Sequence, residues 1–350
     1  MKISVIVAAY NEEPVIMSTV EKLLSYMKDK FKSDWELIFV NDGSKDKTGE
    51  ILDSALVLDG RIKVLHHPRN FGQGRALRTG FDYCRGEVIV TMDADLSYGP
   101  GYIGGLLESL EKNHVEISLA SAYMPGGTVT NVPFHRYFLS KWGNRYLAIM
   151  SHYDIATSTC VVRAYKREVI DSLFLSSDGM ELQLEILMKA ASAGYRVCEI
   201  PADLAWPDTK AVTREKRRSS KMKIAKTIGL YLKIGWLSKP SFMFLAAGAV
   251  FLSGGLYMAM LIMLRTILAI WEVHAQKPLL EAISMGISQI YAQYTYSFAI
   301  SSGLMIFGLQ LLMFGLIFIQ NKFYYEELFK GMQDIYIKTK AASARPQDRD

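Results

Sequence analysis

Two stretches near the C-terminus, 242–264 and 298–319, each run for more than 20 residues without a charged side chain. A helix needs roughly 20 apolar residues to cross a bilayer. Both stretches are apolar on every face rather than along one stripe, which sets them apart from the surface helices of a soluble domain. The last third of the chain is therefore expected to form two transmembrane helices. Basic residues crowd the approach to the first of them, in "TREKRRSSKMKIAK", whereas the connector between the spans has only Arg265 and Lys277. By the positive-inside tendency both termini face the cytoplasm. Small residues in "GAVFLSGG" suit close helix packing, and with it a homo-oligomer.

The first two thirds read differently. "ISVIVAA", "WELIFVN", "IKVLHH" and "EVIVTMD" are short apolar runs, and amphipathic segments follow them. Such alternation predicts a mainly parallel sheet covered on both faces. Ligands of open α/β sheets bind beyond the carboxyl ends of the strands. Each of these runs opens into a polar turn, which places Tyr10, Asn11, Glu12, Asp42, Asp93 and Asp95 along one rim. "RVCEIPADLAW" reads as a last strand, and "KMKIAKTIGLYLKIGW" as an amphipathic helix lying on a membrane surface. The expected organisation is a catalytic domain over 1–210, a basic juxtamembrane segment over 211–240, a membrane domain over 241–320 and a tail over 321–350.

Composition narrows the partners. A formal net charge of +5 is too small to argue for nucleic acid, and none is expected as a partner. Cys84, Cys160 and Cys198 are far apart and odd in number, which fits buried reduced thiols better than a disulfide or zinc motif. His66 and His67 are neighbours on a predicted strand and so point to opposite faces. The apolar run at the N-terminus reaches acidic residues too early for a secretory signal.

The paired carboxylates of "VIVTMDADLSYGP" repel each other, so stability does not recommend them. A cation and a charged substrate would give them a purpose. "AAYNEE", "VNDGSKDKT", "NFGQGRALRTGF" and "MDADLSYGP" occur in that order, each at a strand end. Together they resemble the family 2 glycosyltransferases of the GT-A fold, a Rossmann-like architecture with a mainly parallel sheet. "TSTCVVRAYKREV" and the basic serine-lysine segment before the spans resemble the polyprenyl-phosphate branch of that family, which includes dolichol-phosphate mannose synthase and bacterial undecaprenyl-phosphate glucosyltransferases.

The resemblance implies roles residue by residue. Ala8, Tyr10, Asn11, Glu12, Asp42, Gly72, Gly74, Arg75, Asp93, Ala94 and Asp95 would bind the nucleotide-sugar. Gly72 and Gly74 would let the backbone pass close to it. Asp93 and Asp95 would hold Mg²⁺ or Mn²⁺, Asp95 as the more direct ligand, since hard oxygen donors suit these ions. Arg136 and Ser140 would share one helix face and bind the acceptor phosphate, with Arg163, Arg218, Ser220 and Lys221 as further candidates. Glu185 matches an acidic position of the family and also suits a simple ion pair. Two departures stand out: Ser97 replaces a glutamine that helps hold the metal, and Ala122 replaces an arginine.

The implied reaction is inverting transfer of a hexose from a nucleoside-diphosphate sugar, of the GDP-mannose or UDP-glucose type, to dolichyl or undecaprenyl phosphate. A transferase acting on a glycan or a neutral lipid is the alternative, and an inactive nucleotide-sugar-binding membrane module is another. The expected location is a membrane, a prokaryotic plasma membrane ahead of the endoplasmic reticulum, with the catalytic domain on the cytoplasmic side.

Overall fold

The computed structural model describes residues 2–32, 34–150, 153, 155–205 and 240–343. By contacts the chain separates into two units, Met1–Tyr231 with Leu328–Asp350, and Leu232–Glu327. In the first unit β1 (Ile3–Ala9), β2 (Trp35–Asn41), β3 (Ile62–His66), β4 (Val88–Asp93), β5 (Ile117–Ser121), β7 (Arg163–Lys166) and β8 (Val197–Pro201) form one sheet, ordered β3-β2-β1-β4-β7-β5-β8. All pairs are parallel except those of β7, which runs against both β4 and β5. The sheet is thus mainly parallel, as the alternation of apolar runs and helices predicts.

Two helical layers explain why β1 and β2 are unbroken apolar runs. Val5 and Val7 face one layer, with Leu23 of α1 (Ile16–Lys30), Leu52 of α2 (Thr48–Ala55) and Leu106 of α4 (Tyr102–Lys112). Ile6 and Ile38 face the other, with Leu77 of α3 (Gln73–Tyr83), Val169 of α6 (Arg167–Ser172) and Ile186 of α7 (Leu182–Ser192). Side chains alternate along a strand, so only a run apolar at every position satisfies both layers. α5 (Phe134–Met150) lies between β6 (Thr128–Thr130) and β7 in the chain.

The stretch expected as a single last strand is divided. Pro201 has no N–H to continue the ladder and ends β8. β9 (Asp203–Ala205) then pairs with β6 as a separate two-stranded sheet. The juxtamembrane segment that follows, with Arg218, Ser220 and Lys221, lies outside the described residues. All three cysteines are free. Cys84 and Cys160 are buried, whereas Cys198 is only half-buried, its thiol 2.9 Å from Ser109 Oγ.

In the second unit α8 (Pro240–His274) and the first part of α9 (Leu279–Ser343) are two helices long and apolar enough to cross a membrane. Helix continues on both sides of a short turn at 275–278, and α9 breaks its helical geometry at Tyr294 (φ −123°, ψ 30°). Arg265 donates to the Tyr294 hydroxyl at that break and stacks over its ring. Two of the glycines in "GAVFLSGG" are used within the pair. A Cβ on Gly248 would lie 2.9 Å from Gly308 O, and one on Gly255 2.6 Å from Met305 Cγ. Ser301 Oγ donates to Gly255 O at 2.9 Å. Gly248 and Gly255 stand seven residues apart, as do Ser301, Gly308 and Gly315, the spacing that keeps a seam facing its partner helix.

Candidate active site

Strand order reverses between β1 and β4, and this is where an open α/β sheet leaves a crevice at its carboxyl end. Ala8 pairs in register with Asp93 there, and Ala9 pairs with Asn41 of β2 on the other side. Tyr10, Asn11 and Glu12 leave β1 as Asp93, Ala94 and Asp95 leave β4. The sheet therefore brings the β1 turn and the acidic pair to one crevice.

The turns are knitted together before any ligand arrives. Asn11 adopts a left-handed φ of 56°, which asparagine tolerates. Its N–H donates to Ser44 Oγ (3.0 Å) and its Oδ1 accepts from Lys45 N (2.8 Å). Glu12 N donates to Thr48 Oγ1 at 2.8 Å. Ala94 is buried, and its carbonyl accepts from Thr19 Oγ1 of α1 at 2.6 Å. Tyr10 remains exposed at the rim.

Burial pushes the Asp93 carboxyl up to about 7, with Asp95 and Glu12 adding like-charge repulsion. No lysine or arginine pairs with Asp93 among the described residues. Nor do three carboxylate, imidazole or thiol groups gather into a closed metal cage among them. Two hard carboxylate donors side by side at a strand end, one of them buried, fit a divalent cation that draws its remaining ligands from phosphate oxygens and water.

Ser97 has a different role from that of a ligand. Its N–H (3.0 Å) and its hydroxyl (2.6 Å) both donate to Asp95 Oδ1, which fixes the carboxylate's orientation. Its carbonyl accepts from Ala205 N at 3.0 Å, tying the acidic turn to β9. Ala122 is a buried core residue, so that position offers a phosphate nothing.

Three sets of expected site residues are engaged within the fold itself. Asp42 is buried, and its carboxylate faces the chain itself: Oδ1 accepts from Phe71 N (3.0 Å) and meets His67 Nδ1 (2.7 Å), while Oδ2 accepts from Gly72 N (2.8 Å). It shapes the loop after β3. Gly72, at φ 109°, and Gly74 have protein packed close against them. A Cβ on Gly72 would sit 2.4 Å from Asp178 O, and one on Gly74 2.4 Å from Gly179 O. The segment 177–179 seats there, with Arg75 N donating to Asp178 O (3.0 Å) and Arg78 paired to Asp178 (2.9 Å), while Arg75 itself is exposed.

Arg163 corrects the third expectation. It is fully buried, and Nε, Nη1 and Nη2 donate to the carbonyls of Cys160 (2.7 Å), Gln183 (2.9 Å) and Ser158 (2.7 Å). A guanidinium spent on three carbonyls inside the fold is not presented to an acceptor phosphate. It was a candidate through the resemblance of "TSTCVVRAYKREV".

β7 nonetheless places "TSTCVV" well. Thr91 pairs in register with Arg163, so the loop before β7 stands beside the end of β4. Thr91 Oγ1 holds Val161 O at 2.5 Å. Glu199 Oε2 and Oε1 accept from Ala156 N (2.7 Å) and Thr157 N (2.8 Å). Ser140 is on α5 and partly exposed. Arg136 is on α5 as well, four residues before Ser140, with its side chain outside the described residues. Sequence reasoning missed Thr91, Glu199 and Asn144. Only Asn144 left a signal, since it falls one helical turn beyond Ser140 on the same face.

Glu185 is a brace. It accepts from Ser176 N (3.0 Å), Ser177 N (2.8 Å) and Lys189 Nζ (2.6 Å). Burial alone would raise its carboxyl, but these bonds outweigh that and hold it at about 2. A depressed folded-state value stabilises above the unfolded value near 4.5 and is lost as pH falls towards 2, here about 3 kcal/mol in all. Glu185→Gln is expected to lower the melting temperature at pH 7, and the gap from wild type should narrow as pH is taken from 4.5 to 3.

Comparison with known proteins fits this geometry. The model of Glycosyl transferase family 2 matches residues 4–174. Polyprenol monophosphomannose synthase of Mycolicibacterium smegmatis is 34% identical over 207 residues, covering 56% of this chain and 75% of the relative. This chain belongs to glycosyl transferase family 2. The glycosyltransferase is also 30% identical to undecaprenyl-phosphate mannosyltransferase of Micrococcus luteus, over 57% of its own length and 82% of the relative's. Dolichol-phosphate mannosyltransferase of Pyrococcus furiosus is 32% identical over 57% of the glycosyltransferase and 56% of that relative. Its first unit has the GT-A architecture, and two long apolar helices follow it in the chain.

Proposed function

We propose that this glycosyltransferase moves a hexose from a nucleoside-diphosphate sugar to a polyprenyl phosphate at a membrane, with inversion at the anomeric carbon. The observation that carries the reading is the register of β7 on β4, which sets the "TSTCVV" loop beside Asp93. The names of the three relatives support the acceptor class, and the two apolar helices support a membrane location. The basic approach to α8 supports a cytoplasmic catalytic domain.

The chemistry needs little from a general base. A phosphate monoester has a second pKa near 6, so it is mostly dianionic at neutral pH. One of its oxygens attacks the anomeric carbon as the bond from that carbon to the diphosphate oxygen breaks, and the electron pair leaves with the nucleoside diphosphate. A divalent cation, when bound, neutralises charge on the departing diphosphate. Asp93 and Asp95 would hold it, with Ser97 orienting Asp95. Glu12 and Tyr10 line the nucleotide side, and Ser140 with Arg136 would receive the acceptor phosphate.

Purified protein in nanodiscs, given labelled UDP-glucose or GDP-mannose, should convert undecaprenyl phosphate into a lipid-extractable labelled product and leave undecaprenol unchanged. Transfer to the bare alcohol would favour a neutral-lipid transferase instead. Nucleotide-sugar binding with no turnover on either lipid would favour an inactive binding module.

A further inference from the structure

Four consecutive backbone N–H groups, Ala156 to Thr159, are pinned two by two from different parts of the fold. Glu199, on β8, takes the first two. Asn144 takes the others: its Oδ1 accepts from Ser158 N (2.9 Å), Thr159 N (3.3 Å) and Thr159 Oγ1 (3.2 Å). The opposite end of the same amide points back along α5, where Nδ2 donates to Ser140 O (3.0 Å) and lies 3.4 Å from Ser140 Oγ. Asn144 is fully buried, so water does not substitute for either set of bonds.

We infer that Asn144 is a positioning residue that sets Ser140 of α5 against the 157–159 loop, and so fixes the seat of the acceptor phosphate. The inference rests on the proposed role of Ser140. Only a primary amide does both jobs at once, accepting three hydrogens at one end and donating at the other. Of the loop's own hydroxyls, Thr157 Oγ1 bonds to Ser121 Oγ of β5 (2.7 Å) and that of Ser158 is buried with no hydrogen-bond partner among the described residues, so neither ties the loop to α5. Its backbone must hold it in place, and Asn144 is the part of that hold that comes from the helix bearing Ser140. Arg163 and Thr91 tie the loop to the body of the fold through the carbonyls of Ser158, Cys160, Val161 and Gln183.

Asn144→Asp separates the two jobs. A carboxylate still accepts from Ser158 and Thr159 but has no hydrogen for Ser140. In nanodiscs, with undecaprenyl phosphate varied at saturating donor and then the reverse, N144D is expected to raise the acceptor KM roughly tenfold. The donor KM should stay within about twofold, because the acidic pair hangs from β4 rather than α5. The double variant with Ser140→Ala should be no worse for acceptor KM than N144D alone, since both act through one contact. Thermal denaturation of the same samples guards against a folding defect. An unchanged acceptor KM in N144D overturns the inference, and so does a rise in both KM values together with a fall in melting temperature. Wild-type protein inactive on undecaprenyl phosphate overturns the acceptor reading and this inference with it. An active wild type with an indifferent N144D overturns the inference alone.

Discussion

Asp95→Ala is expected to lower product formation by about 10³-fold or more, with the fold intact. Removing one group aimed at developing charge commonly costs 10²–10³ in rate, and this carboxylate would also hold the cation. Asp93→Asn should behave similarly, because burial and two neighbouring carboxylates make Asp93 the group most in need of a positive partner. Ser97→Ala should be milder, roughly 10-fold, since it frees a carboxylate from its tether without deleting it. Initial rates in nanodiscs, with Mn²⁺ varied, separate these cases: S97A should be partly recovered at high metal and D95A should not. Near-wild-type turnover in D95A would remove the acidic pair from the mechanism.

The second large effect concerns stability. Arg163→Met keeps most of the volume but removes the donors that three carbonyls inside the fold, of Ser158, Cys160 and Gln183, now share. Each such lost bond costs on the order of 1–3 kcal/mol, so about 3–5 kcal/mol in total is expected after relaxation. For a domain of this size that is a melting temperature lower by roughly 10 °C. Differential scanning fluorimetry of the purified variant measures it. A variant with wild-type stability and a raised acceptor KM would return Arg163 to the phosphate-binding role that the structure denies it.

The contrast between Arg163 and Asp93 shows what was legible in the sequence. Strand-end position is a one-dimensional property, and it located Tyr10, Glu12, Asp93 and Asp95 because parallel strands all end on the same side. Arg163 was a candidate through resemblance alone, and in the structure its guanidinium turns inward to three carbonyls. Gly72 and Gly74 were singled out for a close backbone approach to the nucleotide, and in the structure a Cβ at either would meet protein. The neighbour that excludes a side chain, the 177–179 segment, is about a hundred residues away and invisible to local pattern. Asp42 is the same kind of case, a strand-end carboxylate consumed by the next loop. Long-range hydrogen bonds decide such roles, and spacing along the chain does not encode them. The paired apolar helices were the reverse, plain in composition, although their extension into a continuous hairpin was not.

The reversed strand β7 also acts as a ruler. Adjacent strands in a sheet stand about 4.8 Å apart, a spacing fixed by backbone hydrogen bonds and largely indifferent to side chains. Because Thr91 and Arg163 share a rung of that ladder, the acidic turn at the end of β4, the proposed donor side, and the loop at the head of β7 are separated by a lattice constant of the fold. Substitutions in the two loops can therefore alter what is bound on either side while leaving the reacting distance nearly untouched. A scaffold of that kind can change its sugar or its lipid without having to re-solve the geometry of transfer.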